Sequence, residues 1–157
     1  MNQKILFLMI SAIFYITPVY RPASNENYIL TSKKGKEIEE DGKKFLAIPV
    51  TLTNTSKDTL AYYTMSCSWQ DFYVIDNELL KIEQVPCESN IYVPEKVAPG
   101  KSTTVILRLE KPVLTGRIKF RTGLNIVPYS AKEKFNREMF RSKKNIIWSN
   151  EVTMKVK

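Results

Sequence analysis

The sequence predicts an all-β chain, folded as an antiparallel sandwich with a short helical insertion before its last strand. Three observations point there. Apolar and polar residues alternate with a period of two in several short segments, as in Leu46, Ile48, Val50 and Leu52, which is the pattern of strands buried on one face. Clusters of Asn, Asp, Gly, Ser and Pro punctuate these segments at close spacing, as turns do in all-β folds. No strand-helix-strand alternation is visible, so a parallel sheet is not expected.

A chain of 157 residues suits one domain. A hydrophobic fraction of 43% with 25% charged residues is that of a globular protein, so the chain is not disordered as a whole. The first segment departs from this average. Lys4 precedes an apolar run from Ile5 to Ile16, closed by Thr17 and Pro18. This is the charge-then-apolar pattern of a secretory signal peptide. The run falls short of the roughly 20 residues that a membrane-spanning helix needs. Pro22-Ala23-Ser24 supplies small residues for cleavage, and no cysteine follows to carry a lipid. Residues 1–24 are read as the export signal and residues 25–157 as the domain, with no transmembrane span in the mature chain.

The elements then follow in order. Tyr28-Ile29-Leu30 is a first short strand, and Glu39 to Lys43 a turn. Leu46 to Thr53 is a half-buried strand, in which Pro49 suits an edge or a bulge because it cannot donate to a ladder. Asn54 to Asp58 is a turn of residues whose side chains bond their own backbone. Leu60 to Cys67 is a strand, and Phe72 to Ile75 forms a hairpin with Leu79 to Gln84 around Asp76-Asn77-Glu78. Pro86 to Pro94 is a loop with extended pieces. Pro99-Gly100 centres a turn, followed by strands over Thr103 to Leu109, Gly116 to Thr122 and Glu151 to Lys157. Ala131 to Ser142 holds neither Gly nor Pro, and Ala131, Phe135 and Met139 recur at spacing four with Phe140 alongside. That is a one-sided apolar stripe, so a short amphipathic helix is expected there, packed on the sandwich rather than on a membrane.

The net charge is +8, and loss of Lys4 and Arg21 with the signal leaves +6. Most of it is concentrated in the insertion, where Lys132, Lys134, Arg137, Arg141, Lys143 and Lys144 face only Glu133 and Glu138. Such a patch can attract an acidic protein, a polyanion or an anionic membrane surface; the plainer alternative is a solvated charge run. The two cysteines, Cys67 and Cys87, allow one intramolecular pairing. Export favours a disulfide, against the alternative of two buried thiols.

Asn54-Thr55-Ser56-Lys57-Asp58-Thr59-Leu60, Gln70-Asp71-Phe72-Tyr73-Val74-Ile75-Asp76 and Val97-Ala98-Pro99-Gly100-Lys101-Ser102 resemble the turns and strand edges of bacterial immunoglobulin-like modules. The pattern is similar to that of the bacterial intracellular proteinase inhibitor family. The resemblance covers about residues 45–110. It implies an immunoglobulin-like antiparallel β-sandwich, and protease inhibition or enzyme regulation through an exposed loop as an alternative function. The export signal, the cysteine pair and the basic insertion depart from that family, and none of its inhibitory residues maps onto this chain.

The chain has no histidine, which removes the commonest general base and the usual nucleophile-activating triads. Two thiols fall short of a structural zinc site, so neither a metal nor a cofactor is expected. No phosphate-loop or dinucleotide motif occurs, and the acids near Glu39, Asp71 and Asp76 sit in turns. Tyr62, Tyr63, Trp69, Phe72 and Tyr73 either fill the core, with Trp69 against the disulfide, or present a platform for a sugar or peptide. Asn54-Thr55-Ser56 matches a glycosylation acceptor but reads better as a turn. The expectation is a non-catalytic exported binding module of the envelope or the secreted fraction. Its expected partner is another envelope protein or an anionic polymer, with nucleic acid a distant third.

Overall fold

The computed structural model describes residues 27–110 and 116–156, so the segment read as an export signal lies outside the described residues. The chain is mostly β, in antiparallel sheets, with one short α-helix near the C-terminus. The sheets curl into a half-barrel rather than stacking as two clean layers.

Strand β3 (Lys43–Asn54) is the spine of the first sheet. Leu46, Ile48, Val50 and Leu52 are buried, while Ala47, Pro49, Thr51 and Thr53 between them are half-exposed, as the period of two predicts. One flank of β3 pairs with β8 (Ser102–Glu110), from Phe45↔Glu110 to Thr53↔Ser102. The other flank is shared by β1 (Tyr28–Ser32) and β2 (Lys36–Glu40). Pro49 is therefore not on an edge strand. It lies in the gap between β1 and β2, where its carbonyl accepts from Lys33 N–H at 3.0 Å. Paired strand residues exchange both backbone groups with one neighbour, so the missing proline donor faces the gap. A Cβ at Gly35, in that gap, would overlap Ile48 Cδ1 and the Ala47 carbonyl. Only glycine lets the chain pass so close to the spine. Asp41 and Gly42 join β2 to β3 with φ of 50° and 74°, the two positive values of a tight hairpin turn.

Strand β4 (Leu60–Met65) pairs with β7 (Tyr92–Val97). Part of the expected loop is thus a strand. Pro94 is tolerated because β4 is the partner of β7 and no other strand flanks it among the described residues. A 3₁₀ turn at Trp69–Phe72 leads into β5 (Tyr73–Ile75) and then β6 (Lys81–Ile82). The expected hairpin between these two does not form. β5 pairs with β10 (Thr122–Asn125), while β6 crosses to β8. Asn77 redirects the chain: its side chain accepts from Leu79 N–H at 2.9 Å and donates to the Lys119 carbonyl at 2.8 Å.

The remaining ladders join β9 (Gly116–Phe120) to β12 (Val152–Val156) and β10 to β11 (Ile146–Trp148). Between β9 and β10, Arg121 is held by Asp76, which takes its backbone N–H at 2.6 Å and its Nε at 2.7 Å. Beyond β10, Val127 accepts from Tyr63 N–H and Tyr129 donates to the Ala61 carbonyl, which draws β4 alongside. The core lies between these ladders and the first sheet. Ile48, Val50, Leu52, Leu107 and Leu109 pack with Phe72, Phe120, Leu124 and Val127.

The helix α1 (Arg137–Ser142) is shorter than expected and is followed by two strands, not one. Asn136 caps it, accepting Met139 N–H at 2.9 Å. Residues 131–135 precede this cap, so Ala131 is exposed and off the helix, while Phe135, Met139 and Phe140 pack on the core. Among the described residues no helix is long and apolar enough to cross a membrane. Cys67 and Cys87 form a disulfide with Cα atoms 6.1 Å apart. Such bonds persist in oxidising compartments. The turn at Asn54 is also confirmed. Its buried amide donates to the Asp58 and Val97 carbonyls and accepts from Ser56 N–H and Oγ. A fully engaged, buried amide does not present a glycosylation acceptor.

Candidate functional site

The basic insertion is held in place by rings. Phe135 stacks on Tyr92 with centroids 3.7 Å apart, and meets Tyr63 edge-on at 5.3 Å. Phe140 packs on Phe72 at 4.8 Å, and its carbonyl accepts from Asn125 Nδ2 at 2.9 Å. The Tyr63 hydroxyl donates to the Glu133 carbonyl at 3.1 Å. Sequence placed these apolar residues on one stripe, and the rings of β4, β7 and the 3₁₀ turn receive them. The six basic residues Lys132, Lys134, Arg137, Arg141, Lys143 and Lys144 are all exposed. None of them appears in an ion pair within the described residues, unlike Arg108 with Glu40 and Glu83, or Arg121 with Asp76. The insertion therefore holds unpaired cations above a ring-anchored base.

On the opposite side of β4 lies a second feature, a cleft of about 300 Å³ bounded by β4, β7, the 3₁₀ turn and β8. It exists because β6 pairs only with Glu110 and Leu109, so Thr103 and Val105 farther along β8, paired with β3 on one flank, have no strand on the other among the described residues and line the opening. Trp69 meets Tyr73 edge-on at 5.8 Å in its wall. Tyr62 and Tyr73 are buried. Burial, chiefly, raises both phenols above their ordinary range, with the Glu95 charge adding to each and Tyr62 adding to Tyr73. They thus remain neutral hydroxyls. Tyr62 stands directly opposite Glu95 in the β4–β7 register.

The aromatic group read from the sequence is divided by this arrangement. Tyr63 and Phe72 serve the insertion, while Tyr62, Trp69 and Tyr73 face the cleft, with Phe72 reaching both. Glu95 escaped sequence reasoning because it falls next to a segment read as loop. The one available signal was the alternation of Val93, Glu95 and Val97 through Pro94 and Lys96. Among the described residues no three His, Cys, Asp or Glu side chains come together as a metal site would require. No protein-family model matches the chain, and no curated protein matches it.

Proposed function

We propose that the chain is a non-catalytic exported binding module of the cell envelope or secreted fraction, an antiparallel β domain whose basic insertion contacts an anionic partner. The reading is supported above all by the insertion, whose six exposed cations are without ion pairs among the described residues and ride on a base fixed by Phe135 and Phe140. A fixed array of one sign steers and orients an oppositely charged surface. The disulfide fits an oxidising compartment. An acidic envelope protein or an anionic polymer is the partner this chemistry suits.

The test compares the mature protein with a variant carrying Gln at all six positions. Binding to immobilised polyglutamate is measured across a salt series, beside recovery of acidic partners from an envelope extract. The expected result is salt-sensitive retention of the mature protein and its loss in the variant. Equal retention of both would overturn the assignment of the insertion as contact surface.

A further inference from the structure

We propose that the cleft bounded by β4, β7 and β8 binds an organic cation, namely an alkylammonium or alkylguanidinium group carried on an apolar stem. Size comes first. About 300 Å³ is at the small end of ligand sites, and suits a short amine or one side chain rather than a sugar chain or a folded surface.

Charge decides the ligand class. Glu95 is the one acidic or basic side chain in the lining. Partly buried Glu83 has an arginine of the same chain, with Arg108 Nη2 2.8 Å away, and the more exposed Asp76 has Arg121 Nε at 2.7 Å; partly buried Asp71, like Glu95, has no ion pair among the described residues, but it does not line the cleft. No cation pairs with Glu95 among the described residues. An unpaired carboxylate flanked by buried rings is attractive to a cation and repels an anion. Desolvation in the cleft strengthens that preference.

The walls complete the match. Tyr62, Trp69 and Tyr73 line the same cleft as Glu95, and Tyr62 stands directly opposite it in the β4–β7 register. Aromatic faces attract ammonium and guanidinium groups, as aromatic cages do. The Tyr62 and Tyr73 hydroxyls make no hydrogen bond among the described residues, so they remain available to a ligand. Val93 and Val105 line the same space and would pack on the methylene stem. A neutral alcohol of the same shape would fill the volume but leave Glu95 unpaired. A phosphate or carboxylate would meet Glu95 directly.

This site is independent of the anionic-partner reading of the insertion, and each can fail without the other. The experiment uses the mature chain with Trp148→Phe, so that Trp69 is the one remaining tryptophan and is excited selectively over the tyrosines. The probes are n-butylammonium, agmatine, n-butanol and an acetylated, amidated Gly-Lys-Gly tripeptide. Saturable change of Trp69 fluorescence is expected with the cations and not with butanol. Glu95→Gln is expected to weaken cation binding about tenfold or more, with unchanged near-UV circular dichroism. Tyr62→Phe, which removes only a hydroxyl, should weaken it less. The six-Gln insertion variant should bind the cations as the parent does. Tighter binding of the tripeptide than of free amines would assign the cation to a protein side chain, and the reverse order to a free small molecule. Equal responses to butanol and butylammonium, full affinity in Glu95→Gln, or no saturation by about 10 mM cation would each overturn the proposal.

Discussion

Tyr62 and Tyr63 are neighbours on β4, and the molecule treats them in opposite ways. Tyr63 points to the insertion. Its hydroxyl finds the Glu133 carbonyl, and its ring meets Tyr129 at 5.1 Å and Phe135 at 5.3 Å. Tyr62 points to the cleft, opposite Glu95, and its hydroxyl has no partner among the described residues. Strand geometry alone sends the two to different faces. What lies beyond each face decides the rest. One side receives a segment that brings its own rings and a carbonyl. The other looks toward a length of β8 that β6 is too short to cover. The same residue type is thus a structural clamp on one face and part of a cleft wall on the other.

The largest effect is expected where the two faces meet. Phe72 is 1% exposed, packs on Phe140 and Phe135 of the insertion segment, and also lines the cleft. Phe72→Ala should cost about 3–5 kcal/mol of stability, as large cavities in cores do, read from urea denaturation. It should also loosen the insertion and blunt cation binding together. A loss under about 1 kcal/mol, the size of an ordinary surface change, would show that the two faces do not share a core residue.

The same contrast explains what sequence made visible. β3 and β8 were legible because each buries one face and alternates accordingly. β10 was hidden because Thr122 to Asn125 are all buried, so no alternation marks them. Gly123 there sits where a Cβ would come within 2.6 Å of Ile146 and 2.7 Å of Val74, a constraint that exists only once β11 and β5 have closed on it. β2 was hidden for the opposite reason. Apart from half-buried Ile38, it is exposed throughout, and its charged composition gives no strand signal. β7 was masked by Pro94, which argues against a strand unless the strand is known to be at an edge. At the candidate sites, the six cations could be listed from the sequence, because charge is a local property. The cleft could not be. Tyr62 and Glu95 face each other only through the β4–β7 register, and the opening depends on where β6 ends.

A smaller change separates the faces. Phe135 is half-buried and holds the insertion through Tyr92 and Tyr63. Phe135→Ala should cost about 1–2 kcal/mol, part of the value of a fully buried aromatic side chain. Amide exchange should quicken in residues 131–142, and retention on polyglutamate should weaken as the cations lose their fixed spacing. Cation binding in the cleft should persist, because the Phe135 ring does not line it. Loss of cation binding in this variant would mean that the insertion shapes both faces of β4.

The smallest effect is absent at neutral pH and appears only in alkali. Tyr62 and Tyr73 have phenols raised above their ordinary value of 10.0, mainly by burial. A raised folded-state value means that the unfolded chain loses these protons first. Stability is therefore fully present below about pH 10 and declines as pH rises above it. In the mature chain, which lacks Tyr15 and Tyr20, tyrosinate absorbance should then show two of the six tyrosines lagging behind the rest until unfolding releases them. The double variant Tyr62→Phe with Tyr73→Phe should remove the lag and flatten the alkaline loss of stability. Glu95→Gln should diminish both only slightly, because its charge is a lesser cause than burial. If Tyr62 and Tyr73 titrate together with the other four tyrosines while the fold stays intact, the cleft is wet enough to solvate phenolate. Its preference for a desolvated cation would then lose the low-polarity surroundings on which it depends.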